Sequence, residues 1–395
     1  MVLFRLPSQE IKTETLTIEK LVYGGDGLAR LEGKVLLTSF VLPGEVVRVQ
    51  SERAKNDLWR GRVLEVLQAS PSRVTPGCPY FERCGGCQYQ HIDYPAQLEQ
   101  KREILREVLA RVGKIEFAGD IGLISAQPWQ YRNRVQLHIE SGNVGYFVQG
   151  SRKLCAIDHC PISSPALNDA IAKLTKILPE FRSVTTAVEL FTNETELQVN
   201  VLDRVPRQAL AMLTSLGTTT PIEYAGFRVS RNSFFQVNRF LIDREIHSLV
   251  GCAIADKKGK WAIDLYAGVG LFSVKLAERF AKVTAVESSS SSLRDFQHNF
   301  GQAAISANVE DYLAGLGETP DFILADPPRA GLGKVAVKEL ARIRAPRLTI
   351  VSCDPATLAR DLQGLIAASY RIDKITLIDL FPQTFHLETV VELSA

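Results

Sequence analysis

Long apolar runs are what this chain most plainly lacks. No stretch reaches the roughly 18 consecutive apolar residues of a membrane-spanning helix. The first ten residues, Met1 to Glu10, have no apolar core of the kind a secretory signal needs, so a cytoplasmic protein with no membrane contact is expected. There is no internal repeat and no low-complexity tract. A dominant charge is missing too: 46 Lys and Arg against 44 Asp and Glu leave a net charge of +2, so only local clusters can indicate a partner. What is present is an ordinary apolar content of 46% over 395 residues, which predicts two or three folded domains.

Residues from about 11 to 66 alternate apolar and polar in short runs, as in Thr15-Leu16-Thr17-Ile18, Lys34-Val35-Leu36-Leu37 and Glu45-Val46-Val47-Arg48-Val49. Gly24-Gly25-Asp26-Gly27 and Pro43-Gly44 mark turns, and the pattern predicts a small closed β-barrel of the oligonucleotide-binding kind. A helix is expected over 94–113, with Leu98, Ile104, Leu105, Val108, Leu109 and Val112 as its apolar positions. A mixed α/β region follows to about 225. From about 258 the order strand, glycine turn, helix, strand predicts a doubly wound parallel sheet. Arg53, Lys55, Arg60 and Arg62 surround Trp59, and Arg132 and Arg134 follow Trp129 and Tyr131. Cations interleaved with rings suit RNA, through phosphate contact and base stacking; solvated faces with packed rings fit either cluster equally well.

Cys78, Cys84 and Cys87 form a C-x5-C-x2-C loop, which in a cytosolic protein speaks for metal rather than disulfides. Cys160, followed by Pro161, or Cys155 could supply a fourth thiolate, and Cys155 could equally be a core thiol. On spacing alone, zinc and an iron–sulfur cluster are equally good readings.

Trp261 to Leu265 reads as a buried strand ending at Gly268-Val269-Gly270, a turn that lets backbone approach a nucleotide-type cofactor, with Phe272 to Phe280 helical behind it. Glu287, 19 residues beyond Gly268, ends the next strand and suits ribose hydroxyls. Ser273 stands where a dinucleotide fingerprint has its third glycine, which favours S-adenosylmethionine over a dinucleotide. Asp326-Pro327-Pro328-Arg329 follows a third strand, its prolines stiffening the loop beside the cofactor. Cys353 follows the apolar run Leu348-Thr349-Ile350-Val351, and Glu388 lies in an alternating segment near the end. These residues match what methylation of uracil carbon 5 demands. A thiolate adds to carbon 6, the activated carbon 5 takes the methyl, and a base removes its proton. Cys353, Glu388 and a cation such as Arg132 or Arg134 fill the roles of nucleophile, base and oxyanion donor.

The segments Asn232-Ser233-Phe234-Phe235-Gln236-Val237-Asn238, Asp326 to Gly331, Val351 to Asp361, Phe381-Pro382-Gln383-Thr384 and His386-x-Glu388 stand in family order. Over nearly its whole length the chain resembles the RNA uracil-5-methyltransferases, specifically the iron–sulfur branch that modifies 23S ribosomal RNA. The resemblance implies a TRAM β-barrel over 1–67 and a central α/β iron–sulfur domain over 68–225. It further implies a Rossmann-like class I S-adenosylmethionine-dependent catalytic domain over 226–395, with the 94–113 helix packing on that domain. It implies cofactor contacts from Gln236, Tyr266, Glu287, Asn308 and Asp326, and a [4Fe–4S] cluster on Cys78, Cys84, Cys87 and Cys160. A monomer acting on 23S rRNA is expected; transfer RNA as substrate and a catalytically silent RNA-binding relative are the alternatives. Two residues depart from the family pattern. Asp354 follows the nucleophile and is expected to raise its pKa, and Leu271 replaces a polar residue that can touch the cofactor.

Overall fold

The computed structural model describes residues 12–53, 58–243, 246–254 and 256–395. Within the chain, contacts separate two compact units: Met1–Ile104 with Gln383–Phe385, and Leu105–Pro382 with His386–Ala395. Of the basic cluster near Trp59, Lys55 lies outside the described residues. No helix among the described residues is long and apolar enough to cross a membrane.

The first unit is built on β1 (Lys12–Thr17), β2 (Lys20–Leu21), β3 (Asp26–Leu31), β4 (Lys34–Ser39), β5 (Val46–Arg53) and β6 (Trp59–Gln68). They form one sheet in the order β1-β5-β6-β4-β3-β2, antiparallel except for the β4/β6 pair. Alternation puts Leu36, Val47 and Val49 inward with Ile18, Ala29, Leu31 and Val41, so the sheet wraps a single core. Trp59 belongs to that core at 5% exposure, so its ring is packing and not a stacking platform. Arg60 pairs with Asp26 and Arg62 reaches Gln50 Oε1 at 3.0 Å. Glu45 is wholly buried but saturated: Oε1 accepts from Ser70 N and Arg73 Nε, Oε2 from Leu42 N and Arg73 Nη2. Burial pushes its pKa up, yet Arg73 and the two amides outweigh it and the net shift is downward.

Helix α1 spans Tyr94–Gly113, the bounds its pattern predicts; Ile104, Leu105 and Leu109 are buried, whereas Val112 is exposed. In the second unit β7 (Ile121–Ile124) comes first. Strands β8 (Arg134–Glu140), β9 (Asn143–Phe147) and β10 (Leu154–Ala156) follow, then α2 (Pro165–Ile177), β11 (Thr186–Thr192) and β12 (Leu197–Val201). These strands, β7 apart, make a five-stranded sheet ordered β10-β9-β8-β11-β12. Helix α2 starts at the Ser164 cap and buries Leu167, Ala170, Ile171 and Leu174. Helix α3 (Arg207–Thr214) and the hairpin β13 (Ile222–Tyr224) to β14 (Phe227–Val229) then lead to α4 (Arg239–Asp243) and α5 (Ile246–Ile254).

The last part alternates strand and helix: β15 (Gly259–Leu265), α6 (Leu271–Leu276), β16 (Phe280–Glu287), α7 (Ser290–Phe300), β17 (Ile305–Ser306) and α8 (Val309–Ala314). Next come β18 (Phe322–Ala325), α9 (Gly333–Ile343), β19 (Arg347–Ser352), α10 (Pro355–Ala367), β20 (Arg371–Ile378) and β21 (Glu388–Ser394). The expected helix to Phe280 ends earlier, because Phe280 opens β16 and packs in the core. The eight-stranded sheet runs β17-β16-β15-β18-β19-β21-β20-β7. Strand β21 is antiparallel to both neighbours, and β7 adds a parallel edge beside β20. Sandwiched between two strands, β21 is buried on both faces rather than alternating.

Candidate active site

From β15 the chain winds outward through β16 and β17, then returns to the other side of β15 as β18. This reversal opens a crevice at the carboxyl ends of β15 and β18, where doubly wound sheets bind ligands. Tyr266 and Gly268 follow β15, Glu287 closes β16, Asn308 follows β17, Asp326 follows β18 and Cys353 follows β19. Glu388 opens β21, whose reversed direction brings its start to the same edge.

The turn beyond β15 is held by its own acid. Gly268 N donates to Glu287 Oε2 at 2.8 Å, while Oε1 accepts from Ser288 N and Ser289 N at 2.8 and 2.6 Å. Carboxylate oxygens carry two acceptor sites each, so Oε2 retains one for a hydroxyl. Gly270 has φ of 100° and begins α6, a conformation that favours glycine. Leu271 points into the core at 8% exposure, so it makes packing contacts in place of a polar one. Asp264, wholly buried, accepts from Ser273 Oγ at 2.6 Å; burial pushes its pKa up to about 7.

The Asp326 loop is bolted to α10. Arg360 Nη2 donates to Ala330 O at 2.8 Å, Leu332 N donates to Asp361 Oδ2 at 2.7 Å, and Thr357 Oγ1 donates to Arg329 O at 3.2 Å. Gly331 (φ 76°) is required there, since a Cβ would stand 2.4 Å from Asp361 Oδ2. Asp354 caps α10, its Oδ1 accepting from Ala356 N and Thr357 N at 3.0 and 2.9 Å.

Strand pairing sets the central geometry. Arg347 faces Ser394 and Ser352 faces Thr389, so the same register carried one residue further sets Cys353 opposite Glu388. Burial pushes the Cys353 thiol up to about 11, with the Glu388 and Asp326 carboxylates adding to it and Arg329 opposing them. The expected culprit, Asp354, is instead turned to the helix amides. Glu388 itself, at 5% exposure, is held well above the usual carboxylate range by burial and by Asp326. Asp326 is raised likewise by burial and by Asp264. A thiol and a carboxyl side by side, both biased toward their neutral forms, can exchange protons with a ligand between them.

The other expected residues lie outside the strand ends of the eight-stranded sheet. Arg132 Nε donates to Arg134 O at 2.9 Å. Arg134 is buried, donates from Nη1 to Ser233 O at 2.7 Å and lies 4.3 Å over the Phe191 ring. It therefore braces the loop at Ser233, while its Nε and Nη2 make no hydrogen bond among the described residues. Tyr131 is buried with its hydroxyl on Pro382 O. Gln236 is 7% exposed on that loop. Phe234, to which the sequence pattern assigns no role, is 61% exposed between the buried Ser233 and Phe235. A phenylalanine pair ahead of a polar residue was the available signal, since two adjacent rings cannot both face one core.

Among the described residues, no group of three or more His, Cys, Asp and Glu side chains is placed to hold a metal ion, so the structure does not show the expected cluster. Local bonds hold the cysteine segments. Cys84 Sγ accepts from Gly86 N at 3.4 Å, and Asn168 brackets the Cys160 backbone, accepting from Cys160 N at 2.8 Å and donating to Cys160 O at 3.1 Å. Cys155 is a buried strand residue of β10 facing Tyr146 across the pair, a core thiol.

Fold and site together define a doubly wound α/β enzyme with a nucleotide-type crevice and a cysteine–carboxylate pair. The profile of the tRNA (Uracil-5-)-methyltransferase family matches residues 176–312 and 318–395, and that of the TRAM domain matches residues 7–64. An uncharacterized RNA methyltransferase of Aquifex aeolicus is 30% identical over 96% of this chain and 97% of its own length. The 23S rRNA (uracil(1939)-C(5))-methyltransferase RlmD of Chromohalobacter salexigens is 30% identical over 96% of this chain and 89% of its own. Among solved structures, Pyrococcus abyssi tRNA (uracil-54, C5)-methyltransferase, in complex with S-adenosyl-L-homocysteine, aligns with a TM-score of 0.76 and 26% identity. It covers 96% of this chain and 99% of that one. This chain belongs to the tRNA (Uracil-5-)-methyltransferase family: it is an RNA uracil-5-methyltransferase with a TRAM domain.

Proposed function

We propose that this enzyme methylates carbon 5 of a uridine in 23S ribosomal RNA by way of a covalent bond between Cys353 and uracil carbon 6. The observation that carries this reading is the β19–β21 register, whose last pair Ser352–Thr389 leads directly into Cys353 and Glu388, with the Glu388 carboxylate acting on the Cys353 thiol. The likeness to the 23S rRNA enzymes over 96% of the chain supports the substrate. S-adenosylmethionine, when bound, supplies the methyl group and a positive sulfonium. The residues for it are the Gly268 turn, Tyr266, Glu287, Asn308, Gln236 and Asp326. Phe234 offers its ring to the uracil face. Cys353 gives up its proton and attacks carbon 6; after methyl transfer, Glu388 takes the proton from carbon 5 and the Cys353 sulfur leaves. A carboxyl held above its ordinary pKa is the stronger base for that step. The Cys353 thiol must shed its proton to act, and burial pushes its pKa up to about 11, so methylation should rise with pH between about 6 and about 9.

The same reaction on transfer RNA is the second reading, favoured by the archaeal neighbour. The two separate in one assay. Transcripts of ribosomal and transfer RNA carrying 5-fluorouridine cannot release fluorine as a proton, so the enzyme should stall as a Cys353–RNA adduct requiring S-adenosylmethionine. An adduct with ribosomal transcript alone supports the proposal; one with transfer RNA alone replaces the substrate; none with either refutes the covalent route.

The reading extends to a [4Fe–4S] cluster on Cys78, Cys84, Cys87 and Cys160. Its support is the spacing of the thiols and the family resemblance, not their placement, and no step of the reaction uses it. Four irons and matching labile sulfide per anaerobically purified chain are expected; zinc or no metal would refute it.

A further inference from the structure

Helix α7 carries Ser291, Asp295 and Asn299, one polar residue every four and therefore on one face. Each grips the segment that leads from β14 into the loop presenting Phe234 and Gln236. Ser291 Oγ donates to Arg231 O at 3.0 Å and lies 2.7 Å from Ser233 Oγ. Asp295, wholly buried, accepts from Ser230 N and Ser230 Oγ, both at 2.7 Å, with Arg228 Nε at 3.4 Å. Asn299 Oδ1 accepts from Arg228 N at 2.8 Å, and its Nδ2 donates to Arg228 O at 3.0 Å and to Val269 O at 2.9 Å.

Val269 is the middle residue of the cofactor turn. One side-chain amide therefore bonds both that turn and the strand that feeds the base-facing loop. The same helix is tied to the turn from its start as well, because Glu287 accepts from Gly268 N and also from Ser289 N, and Ser289 caps α7. Phe296 of the helix lies 3.2 Å from where a Cβ on Gly270 would stand. The loop is held from its other side as well, by Arg134 Nη1 on Ser233 O at 2.7 Å and Asn200 Nδ2 on Asn232 Oδ1 at 2.9 Å, while Phe234 stays exposed.

We infer that α7, through Asn299, transmits cofactor binding at the Gly268 turn to the base-facing loop 230–236, so that the loop is set only when the methyl donor is in place. The inference rests on the function proposed above. Asn299 is a positioning residue: a shift of the turn must either carry Asn299 and strand β14 with it or break a hydrogen bond. The consequence is ordered use of the site, cofactor before uridine, which keeps Cys353 from adding to a base that cannot be methylated.

Hydrogen–deuterium exchange of the full chain, with and without S-adenosyl-L-homocysteine, tests this. In the wild type the ligand should slow exchange in peptides covering 266–270 and also, by about fivefold or more, in those covering 228–233, the part that α7 grips and that ends before the Gln236 cofactor contact. In Asn299→Ala protection at 266–270 should remain and that at 228–233 should vanish. Equal protection of 228–233 in the variant, or protection confined to 266–270 in the wild type, would overturn the inference while leaving the cofactor site standing. No protection at either place in the wild type would remove the cofactor site and the coupling together. If Asn299→Ala fails to fold, Asn299→Asp keeps the acceptor for Arg228 N and loses both donated bonds. Its 228–233 peptides should likewise lose protection, and retained protection would count against the inference.

Discussion

Two glutamates, Glu45 in the TRAM sheet and Glu388 in the catalytic sheet, are buried to nearly the same degree and behave oppositely. Glu45 accepts four hydrogen bonds, two from Arg73, and its pKa falls below the ordinary carboxylate value. Glu388 has Asp326 and a thiol beside it, and its pKa rises well above that value. Burial alone therefore predicts neither role. A buried charge surrounded by donors is a structural fastener, whereas a buried carboxyl beside another acid is kept as a proton acceptor at a cost to stability.

The sharpest way to break this contrast is to remove the groups it assigns to chemistry. Cys353→Ala should lower methyl transfer into RNA by about 10⁴-fold or more, with S-adenosyl-L-homocysteine affinity unchanged by calorimetry; turnover near wild type would end the covalent mechanism. Glu388→Gln should cost about 10²- to 10⁴-fold in rate and accumulate a methylated protein–RNA adduct on denaturing gels. Because that change removes an unfavourably buried acid, it should also raise Tm at neutral pH; a lower Tm would contradict the electrostatic picture.

The structural glutamate should respond in the other sense. Glu45→Ala leaves the Arg73 guanidinium, 22% exposed, and the Leu42 and Ser70 amides without their acceptor and should destabilise the protein by about 2 kcal/mol in denaturant unfolding, without altering how fast folded enzyme turns over. The last effect, absent at neutral pH and felt only on acidification, concerns His91, also in the TRAM-containing unit. Burial holds its pKa down to about 4 from 6.5. The unfolded chain binds a proton in that window and the folded chain does not, so stability is full above pH 6.5 and declines toward pH 4. The slope is at most about 1.4 kcal/mol per pH unit. His91→Phe should flatten that slope in chemical unfolding run across the range.

The sheet of the catalytic part was legible because its strands are continuous apolar runs punctuated by glycine and proline, as at Phe322–Ala325 before Asp326-Pro327-Pro328. Trp59 was ambiguous in sequence, since arginines flank a core ring and a stacking ring alike; only the inward direction of its strand position decides. The brace from Arg134 was not legible, because no local pattern shows that Ser233, 99 residues away, turns a carbonyl toward it. Strand β7, four residues long, has no periodicity strong enough to announce that it joins the edge of the eight-stranded sheet.

What the sequence determined by itself is the inventory: a barrel of alternating strands, a doubly wound sheet, a glycine turn, and a cysteine and a glutamate near strand ends. These are local matters, set by side-chain period and turn chemistry over a few residues. Tertiary structure alone decided which groups meet. The antiparallel insertion of β21 between β19 and β20 turns Glu388 back toward Cys353, and α7 ties the glycine turn to strand β14 about 40 residues earlier in the chain. Pairing of that kind depends on strand order and register, which follow from how the whole core closes rather than from any one segment.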